Sequence, residues 1–212
     1  MNSLRVVVSR RRRTPAQAQE EIVEAAERFL RVQPLGELTV SRLMQETSLA
    51  RSSFYVYFQD VPDVVARLLE RLVEALMAPS RPWLDGAGEP EPALAAALDG
   101  VVDVWREHGP VLRAVAEASL HSGGRVREVY LGVVIDPFVA AVARRIQSQQ
   151  RHGSAKAGDP HALARALILL NERYLVDTLG ADPELDPAPV AETLRLIWGR
   201  VLYGEAVPGT PG

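Results

Sequence analysis

Arg51-Ser52-Ser53, followed by Tyr55 and Tyr57, is a set of side chains suited to gripping nucleic acid. Arginine can fork onto the O6 and N7 edge of guanine, serine bonds to bases or phosphates, and tyrosine hydroxyls reach the backbone. Catalytic chemistry has no comparable set. The chain has no cysteine, no glycine-rich phosphate loop and no His-Glu-x-x-His, and His108, His121, His152 and His161 are scattered. Asp103 and His108 stand one or two helical turns apart, as an acid–base pair, a solvated pair or a helix-end histidine. No catalytic residue, cofactor or metal site is therefore assigned.

The elements around Arg51 can hold it against a duplex. Val40, Leu43, Met44 and Thr47 recur on one face of a short helix, with Thr39 placed to cap its free donors. Ser48-Leu49-Ala50 supplies a turn. A second helix begins near Arg51 with Phe54 and Phe58 on its apolar face, leaving Arg51, Ser52, Ser53, Tyr55, Val56 and Tyr57 at its start and on its other faces. This is the layout of a helix-turn-helix, whose second helix enters the major groove while the first crosses the backbone. A plain helical hairpin is the competing reading, but it has no need of tyrosines beside an Arg-Ser-Ser start.

Residues 1–13 contain Arg5 and the run Arg10-Arg11-Arg12-Arg13 without an acid, the pattern of a basic arm that reaches phosphates or a minor groove, or of a solvated tail. The net charge of -3 then implies a basic tip on an acidic body. At 212 residues and 47% hydrophobic, the chain can bury a large core without disulfides, which fits a reducing cytoplasm. No apolar run approaches the roughly 20 residues that span a bilayer, so no membrane partner is expected.

Periodicity predicts an all-α fold of about nine helices. Thr14-Pro15-Ala16-Gln17 offers a capping box ahead of the stripe Ile22, Ala25, Ala26, Phe29 and Leu30. Asp60 caps a long helix expected over 61–77, and Pro79, Pro82, Gly86, Gly88 and Pro90 mark a break. Helices follow at 91–107, 109–121 and 125–150, a polar loop at 151–158, and two last helices starting at Asp159-Pro160 and Asp186-Pro187. The broad apolar faces of these two, including Leu163, Leu167, Leu170, Leu194 and Val201, either form a four-helix homodimer interface or fill a monomer core. A dimer would bring two reading heads to successive major grooves.

The first 60 or so residues resemble the DNA-binding head of TetR-type repressors, through the Ile22 to Leu30 helix, Leu38-Thr39-Val40, and Leu49-Ala50-Arg51-Ser52-Ser53-Phe54-Tyr55-Val56-Tyr57-Phe58. Leu170-Asn171-Glu172-Arg173-Tyr174-Leu175, Leu196-Ile197-Trp198 and Leu202-Tyr203-Gly204-Glu205 are similar to the EthR-type branch. The resemblance implies a homodimeric repressor of a double-stranded DNA operator, released when a small, mostly apolar effector enters the helical body. It implies a basic arm over 1–13, a reading head over 14–60, and an effector-binding and dimerisation domain over 61–212. Arg51, Ser52, Ser53, Tyr55 and Tyr57 fall on reading positions, and Thr39 and Ser41 lie near the backbone. Many family members carry a phosphate-binding lysine at the start of the fourth helix, where this chain has Val61 and Pro62. In the body, Trp105, Tyr130, Phe138, Tyr174, Leu175 and Trp198 are expected to line an apolar pocket into which Asn171 projects. An amide among apolar helices needs a partner, which a ligand, a neighbouring side chain or water could supply. A DNA-binding dimer without an effector is the alternative.

Overall fold

The computed structural model describes residues 14–121, 124–156 and 158–204. The basic run Arg10 to Arg13 lies outside them. Among the described residues, nine α-helices form in chain order: α1 Pro15–Leu30, α2 Val40–Gln45, α3 Phe54–Tyr57, α4 Val61–Asp85, α5 Pro90–His121, α6 Arg125–Tyr130, α7 Asp136–Arg151, α8 Pro160–Asp177 and α9 Pro187–Leu202. Local sequence explains most of their starts. Thr14 and Gln17 close a reciprocal capping box on α1, and the Thr39 side chain accepts from the Arg42 N–H. Asp60, Asp159 and Asp186 cap α4, α8 and α9, each followed by a proline in the first turn, where its missing N–H costs nothing.

The buried apolar residues form one continuous cluster from Ile22 to Leu202. The head packs α1 against α2, α3 and α4, with Leu43 and Phe54 fully buried. The long α4 continues into the body beside α5, and α7, α8 and α9 complete the bundle.

Three expectations about helix boundaries fail where tertiary packing outweighs a local breaker. The helix expected to stop at 77 runs through Pro79 and Pro82 to Asp85. Each proline removes one backbone donor, but the same turns bury Ser80 and Trp83, and the helix ends only at Gly86, whose φ of 81° allows the left-handed cap. The segments 91–107 and 109–121 are one helix, α5, which passes through Gly109-Pro110 because Trp105, Val111 and Leu112 on either side are core residues. The 125–150 helix contains a π-turn at Leu131–Ile135, widened just ahead of Pro137, which has no N–H to close an ordinary turn.

Gly100 sets the crossing of α4 and α5, because a Cβ there would overlap the Pro79 ring. Gly100→Ala should cost about 1 to 2 kcal/mol by forcing the two helices apart. Thermal denaturation checks this, and an unchanged melting temperature would show that the crossing has slack.

Candidate functional site

Two regions carry the candidate chemistry: the surface of the head around α3, and a cavity inside the body. At the head, a 3₁₀ turn over Arg51–Ser53 leads into α3. Phe54 and Phe58 anchor this segment in the core, with ring centroids 6.0 Å apart. Their burial turns the remaining faces outward: Arg51, Ser52, Tyr55 and Val56 are exposed, with Tyr55 at 63% and Val56 at 74%. Arg51 has no ion pair among the described residues. Thr39 and Ser41 are exposed at the start of α2. Ser53 is half-buried, and Tyr57 is half-buried with its side chain packed against the head core, so it offers less free surface than its neighbours.

Two sets of ion pairs tie this head to the body. The Asp60 carboxylate caps α4, just beyond α3, and accepts from Arg125 on α6 at 2.7 Å. Glu27 on α1, only 14% exposed, accepts from Arg31 at 2.7 Å and from Arg71 on α4, and stands 3.1 Å from Nδ1 of His108 on α5. His108 therefore belongs to a head–body junction and does not meet Asp103, which pairs with Arg106 at 3.6 Å.

The cavity runs along the inside of α4 and α5 and is closed by α6, α7, α8 and α9. Trp105, Tyr130, Phe138, Asn171, Leu175 and Trp198, all expected at a pocket, line it. Tyr174 does not. It sits one position round α8 from Leu175 and packs elsewhere on the core. The sequence reading misses Trp83, Ser80 and Glu172. The first two lie in the stretch taken for a break, and Glu172 is a charged residue that apolar periodicity overlooks. All three tryptophans of the chain thus face one cavity. On α5 its walls extend from Leu94 to Leu112, about 27 Å at a rise of 1.5 Å per residue. The cavity is narrow, at about 70 Å³, against the several hundred Å³ usual for a ligand pocket.

Its polar groups are few. The Asn171 Oδ1 and Trp198 Nε1 atoms are buried without a hydrogen-bond partner among the described residues, each a cost of about 1 to 3 kcal/mol until something bonds to it. The Tyr130 hydroxyl donates to Glu172 Oε1 at 2.8 Å. Burial pushes the Glu172 carboxyl above its usual range, partly offset by the Tyr130 hydrogen bond and the Arg173 charge. Burial, and then the Glu172 carboxylate, raise the Tyr130 hydroxyl, so it remains a donor.

A stability prediction follows from Glu172. At low pH its carboxyl is neutral in both folded and unfolded chains. As pH rises the unfolded chain ionises first, so stability falls between the ordinary carboxylate value and the raised folded one, then levels off. Glu172→Gln keeps an acceptor for Tyr130 and should remove this decline. The gain near neutrality should be under about 1 kcal/mol, because solvent screens the partly exposed carboxyl. Melting curves from pH 4 to 8 test it, and parallel profiles for the two proteins would contradict it.

The two last helices divide the residues expected at a dimer seam. Leu167 and Leu194 are 3% and 0% exposed within the protomer, so they fill its own core and offer nothing to a partner. Leu163 is half-buried. Leu170 and Val201, both expected at a seam, are 41% and 39% exposed, and Leu169 on α8 and Leu196 on α9 join them at 39% and 59%. Among the described residues no group of three or more histidines, acids or cysteines could hold a metal ion, and no helix is long and apolar enough to cross a membrane.

Comparison with known proteins agrees with this layout. Residues 94–204 match the family described as the transcriptional regulator EthR, C-terminal domain. The HTH-type transcriptional regulator EthR of Mycolicibacterium smegmatis is 30% identical over 196 residues, covering 89% of this chain and 88% of that protein. Among solved structures, FadR of Bacillus subtilis in complex with stearoyl-CoA superposes with a TM-score of 0.73 at 13% identity, covering 88% of this chain and 99% of that one. The regulatory protein TetR of Rhodobacter sphaeroides gives a TM-score of 0.69 at 19% identity, covering 87% and 98%.

Proposed function

The chain belongs to the EthR-type branch of the TetR family of transcriptional regulators, and from that premise we propose a homodimeric repressor that leaves its operator when an elongated, mostly apolar effector enters the body. The observation that carries the effector half of this reading is the cavity: a long apolar channel whose buried Asn171 Oδ1 and Trp198 Nε1 atoms have no partner among the described residues. An effector that bonds to them would relieve a cost the protein otherwise bears. The structurally similar FadR of Bacillus subtilis holds stearoyl-CoA, itself a long-chain ligand.

The division of labour we propose is a basic arm over 1–13, a reading head over 14–60 and an effector-binding and dimerisation domain over 61–212. Arg51, Ser52, Tyr55 and Val56 face the major groove, with Ser53 and the edge of Tyr57 beside them, and Thr39 and Ser41 approach the backbone. Arg10 to Arg13 contribute sequence-independent phosphate contacts. The exposed Leu169, Leu170, Leu196 and Val201 meet their copies in a four-helix arrangement that spaces two heads on one duplex. Such a protein acts in the cytoplasm, on DNA, without a catalytic step.

The cavity's narrowness supplies a route from effector to head. A ligand of ordinary size has to spread the walls, and the released conformation must be the one it binds better. Those walls include α4, which is continuous with the head, and the π-turn at Leu131–Ile135. Directly before that turn, α6 carries Arg125 to Asp60 at the end of the reading segment. Displacing α4 and α6 thus moves the supports of α3 on two sides.

Asn171→Leu tests the effector half. It removes an unpaired amide, so the free protein should melt higher by a few degrees, with about 1 kcal/mol of added stability. DNA release should then need about tenfold more effector. The narrow cavity also favours a second reading, a DNA-binding dimer without any effector. That reading gains if no long-chain amphiphile alters tryptophan fluorescence or DNA binding.

A further inference from the structure

The cavity has an outer neighbour along the seam between α4 and α7. A surface groove there is lined by Arg81, Arg144, Arg145 and Ser148, and Leu84 faces both the groove and the cavity. Arg145 is the unusual member. It is half-buried, its guanidinium lies 6.0 Å from the ring of Trp83, which lines the cavity, and its Nε is buried without a hydrogen-bond partner among the described residues. Neither Arg144 nor Arg145 forms an ion pair among the described residues, whereas Arg81 is held by Glu74 at 2.6 Å. Asp85 is the remaining acid on the groove. Arg145 also rests on Gly86 at the C-terminus of α4, where the helix field favours a cation. That field accounts for its position and leaves its buried Nε without an acceptor among the described residues.

The cavity's own polar pair differs. Glu172 and Tyr130, bonded to each other, both line it, and an anion placed against them would meet the Glu172 carboxyl in an apolar setting.

We propose that the groove is a subsite for an anionic head group, and that the effector is a long-chain anionic amphiphile. Its carboxylate or phosphate is gripped by Arg145 with Arg144 alongside, and its chain passes Leu84 and Trp83 into the cavity toward Trp105. The inference rests on the reading of the cavity as the effector site and adds the charge and polarity of the ligand. Arg145 suits this work because a guanidinium lying over an indole at this distance can still present two parallel N–H groups to an oxyanion.

All three tryptophans face the cavity, so intrinsic fluorescence of the full-length protein reports its occupancy. Dodecanoate, dodecyl phosphate and methyl dodecanoate, below their micellar concentrations, share a chain length and differ in the head. The two anions should bind about tenfold more tightly than the neutral ester, with a preference that weakens in high salt. Arg145→Gln and the exposed Arg144→Gln should each reduce that preference, Arg145→Gln to within about twofold of the ester, while Arg145→Lys retains part of it. The exposed Arg144 variant keeps the test valid if loss of Arg145 destabilises α4. Preference for one anion over the other identifies the head as carboxylate or phosphate. Equal binding of all three ligands, or equal losses for all three in both glutamine variants, would overturn the anionic subsite and leave the cavity reading standing. Binding of none would overturn the cavity reading and the subsite with it.

Discussion

Replacing Leu170 and Leu196 together by aspartate produces a folded monomer whose operator affinity is at least about 100-fold lower. In the protomer these side chains are 41% and 59% exposed, so the aspartates remain solvated and the fold tolerates them. In the proposed dimer the same change places four carboxylates in an apolar seam, where like charges and desolvation oppose association. Each head then binds its half-site alone and loses the gain from tethering, which typically lies between about 10² and 10⁴. Sedimentation analysis and a DNA-binding titration at fixed salt read the two effects. A variant that stays dimeric with full operator affinity would place the dimer contact elsewhere. By contrast, polar substitution at Leu167 or Leu194 should unfold the protomer, because both are core residues.

Arg51→Ala should weaken binding to the operator by about 1 to 3 kcal/mol and relax the preference for one base pair in each half-site. The residue is exposed at the start of the reading segment and has no ion pair among the described residues, so its removal disturbs little of the fold. Neutralising the basic arm over 1–13 should behave differently, lowering affinity for operator and random DNA alike and flattening the salt dependence. Equal losses on operator and random DNA for Arg51→Ala would remove its base-reading role and leave it as a phosphate contact.

The parts of the molecule legible in the sequence are those written in short-range chemistry. Thr14, Thr39, Asp60, Asp159 and Asp186 each announce a helix start that the fold realises, because a cap is satisfied by neighbours two or three residues away. The reading segment is legible for the same reason: Phe54 and Phe58 are apolar at helical spacing, which turns Arg51, Tyr55 and Val56 outward. Tyr57 shows the limit of that argument, since its side chain packs back onto the head core.

What was not legible depends on partners distant in sequence. Pro79, Pro82 and Pro110 look like helix ends locally and are overruled by the burial of Trp83, Val111 and Leu112. Periodicity gives α8 and α9 broad apolar faces but does not say which leucines meet the protomer's own core. Local spacing therefore cannot separate Leu167 and Leu194, which are core, from Leu169 and Leu196, which are exposed. In the cavity, aromatic and amide residues stood out while Glu172 did not, since only its burial beside Tyr130 makes it part of the site.

The central claim is that this chain binds a specific DNA site and leaves it when the cavity is occupied. The direct measurement is a mobility-shift titration with the DNA just upstream of its own gene, in excess random DNA, followed by addition of a long-chain amphiphile at a concentration that saturates the tryptophan fluorescence change. The account predicts a discrete complex that survives the competitor and dissociates as the fluorescence saturates. A folded dimer that saturates with ligand yet holds its specific DNA unchanged would contradict it.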